Sequence, residues 1–223
     1  MPTSYPHYKK HIQLYFQNEI NKKSKILDVG PGMGTYSNLL RELGFNIDCI
    51  EIYAPYVTKY NLSEKYDSVH IGDIMDFDIS NYDFIILGDI LEHLDTDDAH
   101  SLMKLIKDQN KKCLVAVPYL MEQGTHEGNA HEAHLQPDLT PTVMKHRYPE
   151  LSILIGNQFY GYYINDDTIS CKEDSRVNSH NSTFSLKYFN SIKEGFEDWN
   201  ESTEGEFYID LAKKYTSQLL KQV

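Results

Sequence analysis

From Lys25 onward, short apolar runs alternate with amphipathic segments, and this alternation is the strongest constraint on how the chain can fold. Residues 26–29, 45–50, 68–71, 82–87 and 112–117 read as buried strands. Between them, 35–43, 55–62 and 96–107 carry helical spacing, with Gly44 as a C-terminal stop for the first. Strand–helix units of this length predict a parallel sheet flanked by helices. Right-handed crossovers then place a ligand crevice at the C-terminal ends of the strands. After a helix at 141–148, two runs at 151–155 and 158–164 have little between them, which suits an antiparallel edge. The fold class expected is therefore α/β: a doubly wound, seven-stranded, mostly parallel sheet with an antiparallel last strand and helices on both faces.

Three regions follow from the same reading. Tyr8, Ile12, Tyr15, Phe16 and Ile20 recur near helical spacing, so residues 1–24 are read as an N-terminal helix packing on the core. Residues 25–164 form the core domain. From Asn165 the composition turns polar, and 165–223 reads as a linker with a helical extension, including a helix at 207–220.

Composition narrows the partners. The chain of 223 residues carries 21 Lys and Arg against 33 Asp and Glu, a formal charge of -12. Phosphate-tracking surfaces need a basic stripe, so nucleic acid is the disfavoured partner. No apolar run approaches the roughly 20 residues of a membrane helix. The N-terminus lacks the apolar core of a signal peptide. Cys49, Cys113 and Cys171 form no pairing or zinc pattern, so a reducing cytoplasm is expected. A homo-oligomer is compatible with all of this.

The chemistry concentrates in two stretches. In the first, Asp28-Val29-Gly30-Pro31-Gly32-Met33-Gly34 joins a strand to a helix, where glycines permit a tight turn and close approach to a ligand. A dinucleotide fingerprint would need glycine at position 35, which is Thr35, and a phosphate loop would need Gly-Lys-Ser/Thr. Asp28-x-Gly30-x-Gly32-x-Gly34 instead resembles the first motif of class I S-adenosylmethionine-dependent methyltransferases. Glu51 ends the second strand, Gly72-Asp73-Ile74 follows the third, and Leu91-Glu92-His93-Leu94 follows the fourth, all in register with that family's small-molecule branch. The resemblance implies S-adenosylmethionine as cofactor, bound by Asp28, Gly30, Pro31, Gly32, Gly34, Glu51, Ile52, Asp73, Ile74, Gly88 and Asp89. In it, Glu51 takes the ribose hydroxyls and Asp73 the adenine amino group.

The second stretch is Asp89-Ile90-Leu91-Glu92-His93. In a helical turn its two acids and imidazole share one face, a set able to hold Mg, Mn or Zn. It is similar to Glu-x-x-Glu-His in two metal-dependent groups, the ubiquinone-biosynthesis O-methyltransferases and the small-RNA 3′-terminal 2′-O-methyltransferases, with Asp89 in place of the first Glu. Many small-molecule methyltransferases carry a similar segment with no metal. Downstream, a polar loop supplies His126, His131 and His134, which join His93 as candidate general bases. Tyr119, Tyr160, Tyr162 and Tyr163 are either pocket walls or ordinary edge packing.

The activity expected is methyl transfer to a small-molecule acceptor, at a hydroxyl or carboxyl oxygen of a sugar or other metabolite. Two alternatives are a metal-dependent nucleotide or RNA 2′-O-methyltransferase and a catalytically inactive cofactor-binding subunit.

Overall fold

The computed structural model describes Tyr5 and residues 8–166. The chain divides into two compact units, one of residues 1–5 and 15–171, the other of 6–14 and 172–223. In the second, the described residues form the first half of helix α1 (Lys9–Glu19). Of the expected extension at 165–223, only Asn165 and Asp166 are described, and the helix expected at 207–220 lies outside the described residues.

The larger unit is built on seven strands: β1 (Lys25–Val29), β2 (Asn46–Glu51), β3 (Val69–Ile71), β4 (Phe84–Gly88), β5 (Lys112–Pro118), β6 (Ser152–Gly156) and β7 (Tyr160–Ile164). They lie in the order β3-β2-β1-β4-β5-β7-β6. All neighbours are parallel except β7, which runs antiparallel to both β5 and β6. The expected mostly parallel, seven-stranded sheet is therefore present, and it reads as near-continuous apolar runs because its central strands are buried on both faces.

Among the described residues, the second half of α1 accompanies it together with α2 (Thr35–Arg41), α3 (Pro55–Lys59), α4 (Leu62–Lys65), α5 (Thr96–Asp108) and α6 (Pro141–Arg147). Helix α5 buries Ala99, Leu102, Met103 and Ile106, and Asp95 caps it by accepting from the Asp98 amide at 2.9 Å. Tyr15 and Phe16, in the second half of α1, pack on the sheet, with the Phe16 ring 4.9 Å from that of Phe84. The single helix expected at 55–62 is two short ones. Asn61 adopts a left-handed conformation between them (φ 52°), which Asn tolerates better than most residues.

The order in which strands are added to the sheet reverses between β1 and β4. Val29 pairs with Leu87 there, so the loop leaving β1 and the turn leaving β4 emerge side by side. Such a switch point leaves a crevice at the strand ends. Gly88 is needed at this edge for packing, since a Cβ on it would run into the buried ring of Tyr36 on α2.

Candidate active site

The crevice is a cavity of about 360 Å³. Gly30, Pro31, Gly32, Glu51, Ile52, Asp73, Ile74, Gly88 and Asp89 line it, as do His93 and His131. The glycine loop opens with Gly30, whose amide donates to the Ile50 carbonyl at 2.9 Å. Its φ of 58° favours glycine, and a Cβ there would push aside the tip of Ile90. Glu51, 4% exposed, stands at the end of β2, with Oε1 accepting from the Tyr53 amide at 2.8 Å. Burial pushes its pKa up to about 7; the Tyr53 hydrogen bond opposes the rise and the charge of Glu132 adds to it. Asp73 caps a short 3-10 turn by accepting from the Met75 amide at 2.9 Å.

Asp28 and Gly34 are not among the lining residues. Side chains alternate along β1, and Leu27 and Val29 belong to the large apolar cluster that includes α5. Asp28 faces the other way and accepts from the Tyr66 hydroxyl at 2.5 Å.

On the other side of the crevice, Asp89 departs from the expected shared face. Its φ of 60° turns the chain as it leaves β4, and its Oδ1 accepts from the Tyr160 hydroxyl at 2.6 Å. The next residues form a 3-10 turn, Leu91–His93. Glu92 points inward, 1% exposed, and among the described residues neither of its carboxylate oxygens has a hydrogen-bond partner. Burial, then the charges of Asp89 and Glu132, hold its pKa well above the usual carboxylate range. His93 and His134 stand edge to face with ring centroids 4.7 Å apart. His93 Nδ1 lies 3.2 Å from the Ala133 carbonyl, and His134 Nδ1 lies 2.8 Å from that of Met121. A carbonyl only accepts, so each Nδ1 carries the proton and each Nε2 keeps its lone pair.

Burial, with His134 next, lowers the His93 pKa to about 4, and burial lowers that of His134. Both rings are therefore neutral at pH 7. One ligand atom each from Glu92, His93 and His134 lies within 4.8 Å of the others. The set the structure assembles is thus Glu92, His93 and His134, where the sequence suggested Asp89, Glu92 and His93.

The remaining histidines separate. His131 lines the crevice and is exposed. His126 does not line it; its backbone pairs with Asn129 across a tight turn in which Glu127 and Gly128 both have positive φ. Tyr119, Tyr160, Tyr162 and Tyr163 are packing residues and not crevice walls. Sequence reasoning passed over Tyr56, Asn129 and Glu132, which line the crevice. Glu132 lies inside the His131–His134 run, where the imidazoles drew the attention.

A glycine loop after β1, an acid ending β2, an Asp after β3 and a polar turn after β4, all around one crevice, define a class I methyltransferase. The family model described as a methyltransferase domain matches residues 5–131, more than half of the chain, and the chain belongs to that family. No curated protein matches the sequence.

Solved structures share the fold. A S-adenosylmethionine-dependent methyltransferase from Clostridium acetobutylicum is 13% identical, with TM-score 0.53 and coverage of 73% of this chain and 91% of that one. The 1,6-didemethyltoxoflavin-N1-methyltransferase of Burkholderia thailandensis is 12% identical, with TM-score 0.51 and coverage of 71% and 77%. Magnesium protoporphyrin IX methyltransferase from Synechocystis is 13% identical, with TM-score 0.52 and coverage of 71% and 81%. Among the described residues, no helix is long and apolar enough to cross a membrane.

Proposed function

We propose that this methyltransferase transfers the methyl group of S-adenosylmethionine to a hydroxyl oxygen of a small acceptor that carries no anionic group. In this reading a divalent cation is held by Glu92, His93 and His134. One observation carries the cation: a fully buried carboxylate with no hydrogen-bond partner among the described residues, beside two neutral imidazoles whose Nδ1 atoms are both spent on backbone carbonyls. A buried carboxylate is costly unless it is paired or ligates a metal. Two nitrogens and one oxygen suit Zn or Mn better than Mg.

The cofactor fits the crevice itself, which His93 lines while Glu92 and His134 stand behind it. Glu51 offers acceptor oxygens at the end of β2 for a ribose diol, and Asp73 offers them to an adenine amino group. Gly30 allows the backbone to approach a ligand closely. Methyl transfer is an in-line displacement at a sulfonium carbon, so alignment matters more than strong acid or base groups. A bound divalent cation supplies Lewis acidity, which makes an acceptor hydroxyl easier to deprotonate. His131, exposed at the crevice, is placed to receive that proton.

Charge selects among acceptors. The described crevice walls carry Glu51, Asp73, Asp89, Asp95, Asp98 and Glu132 and no Lys or Arg. Such walls repel phosphates and carboxylates, which favours a hydroxyl over a carboxyl acceptor and a small molecule over RNA.

The test uses cation-stripped protein, methyl-labelled S-adenosylmethionine and a small-molecule cell extract. The expected label enters product only after Zn or Mn is restored, and it survives mild alkali as an ether. Alkali-labile label would mark a methyl ester and overturn the hydroxyl assignment. Full transfer without cation would overturn the cation.

A further inference from the structure

The three residues of the cation site come from two separate segments, the turn after β4 and the loop after β5. One buried side chain ties these segments together. Gln136 is 3% exposed, and its Nε2 donates to the carbonyls of Leu91 at 2.7 Å and Leu94 at 3.1 Å. Those two carbonyls bracket Glu92 and His93. Its Oε1 accepts from Arg147 Nη1 at 2.8 Å and from the Tyr148 hydroxyl at 2.9 Å, at the end of α6. Carbonyls cannot donate and a guanidinium cannot accept, so only one orientation of the amide serves all four partners.

The main chain repeats the tie. The amides of Leu135 and Gln136 both donate to the Glu92 carbonyl, at 2.7 and 3.0 Å. His134 lies two residues before Gln136, so its imidazole is carried on the same tethered strand of chain. Arg147 is itself forked onto Asp138, with Nη1 at 3.0 Å and Nη2 at 2.6 Å from its two oxygens, which fixes the α6 end.

We propose that Gln136 is a positioning residue of the cation site, setting His134 against Glu92 and His93 without touching cation or acceptor. This rests on the cation reading given above. A space-filling role alone is a poor match to the geometry. An apolar residue of similar volume would fill the site yet take the Gln136 donor away from both carbonyls, leaving the buried one of Leu91 with only the long 3.3 Å bond from the Leu94 amide, and the turn holding Glu92 and His93 would shift.

Two variants separate positioning from bulk. Gln136→Glu keeps an acceptor for Arg147 and Tyr148 but loses both donors to the turn. Gln136→Met keeps the volume and loses every hydrogen bond. Affinity for Mn²⁺ is measured by electron paramagnetic resonance, and affinity for S-adenosylhomocysteine by calorimetry. Both variants should bind Mn²⁺ about 10- to 100-fold more weakly, the range for losing support behind metal ligands, with S-adenosylhomocysteine affinity unchanged. Tyr148→Phe, which leaves the bonds to the turn in place, should bind Mn²⁺ like the wild type.

Wild-type Mn²⁺ affinity in both Gln136 variants would overturn the proposal. Parallel loss of both ligands, or variants that do not fold, would assign Gln136 to general stability and overturn it as well. A wild-type protein that binds S-adenosylhomocysteine but no cation would overturn the cation reading and this inference with it, while leaving the cofactor assignment intact.

Discussion

Glu92→Gln is expected to abolish divalent-cation binding and to leave the cation-free protein about as stable as the wild type. The Glu92 carboxyl is buried with no hydrogen-bond partner from another described residue, and Asp89 and Glu132 both oppose its charge. Its pKa is held well above the usual carboxylate range, so a neutral amide of the same shape is expected to change the stability of the cation-free protein little. With a cation present, the wild type gains an ionic ligand that the amide cannot replace. Losing one charge-assisted contact of about 3 kcal/mol weakens the cation by roughly 100-fold or more. Thermal melts with and without Zn or Mn check this: the metal-induced shift should be present in the wild type and missing from the variant. A variant that keeps the shift would remove Glu92 from the ligand set.

Glu51→Gln should have two effects of opposite sign. Its folded pKa of about 7 lies above the ordinary value of 4.5. The stability linked to its proton is therefore fully present below about pH 4.5 and is lost as pH rises through about 7. At about 1.4 kcal/mol per pH unit, this one group costs the cofactor-free protein roughly 3 kcal/mol at pH 7.5. The amide does not titrate, so the variant should match the wild type in urea denaturation at pH 4.5 and exceed it by roughly 3 kcal/mol at pH 7.5. Other titrating groups are common to both proteins and cancel in the difference. The same substitution weakens the hydrogen bonds expected to the ribose diol. A loss of about 2 kcal/mol corresponds to roughly 30-fold in S-adenosylhomocysteine affinity. Equal stability at both pH values would mean that burial does not strain Glu51. Unchanged affinity would remove it from the cofactor site.

The contrast between these residues indicates what the sequence made legible. Glu51 and Asp73 sit at strand ends, and the apolar runs of β2 and β3 place those ends within a residue or two. Gly30 is fixed by the turn between β1 and α2, a local matter. Asp28 adjoins the glycine loop in sequence, but strand parity directs its side chain to Tyr66. Asp89 left the expected metal set for two reasons that no spacing rule contains. Its backbone turns left-handed, and its partner Tyr160 lies on an antiparallel strand 71 residues later. His134 entered for a similar reason. Its imidazole is aimed by the Met121 carbonyl across its own loop, and that loop is tethered by Gln136. His126 was drawn away by the tight turn at Glu127 and Gly128. Short-range periodicity thus places the residues at the ends of β1, β2 and β3, while the Glu92, His93 and His134 cluster depends on loop contacts that form only when the fold is complete.

The most direct measurement is a crystal structure of the protein grown with S-adenosylhomocysteine and Mn²⁺, with anomalous data collected for the metal. The account predicts a single strong peak bounded by Glu92, His93 Nε2 and His134 Nε2, with the ribose of the cofactor on Glu51. An empty Glu92–His93–His134 site, or a cofactor bound away from Glu51, would contradict it.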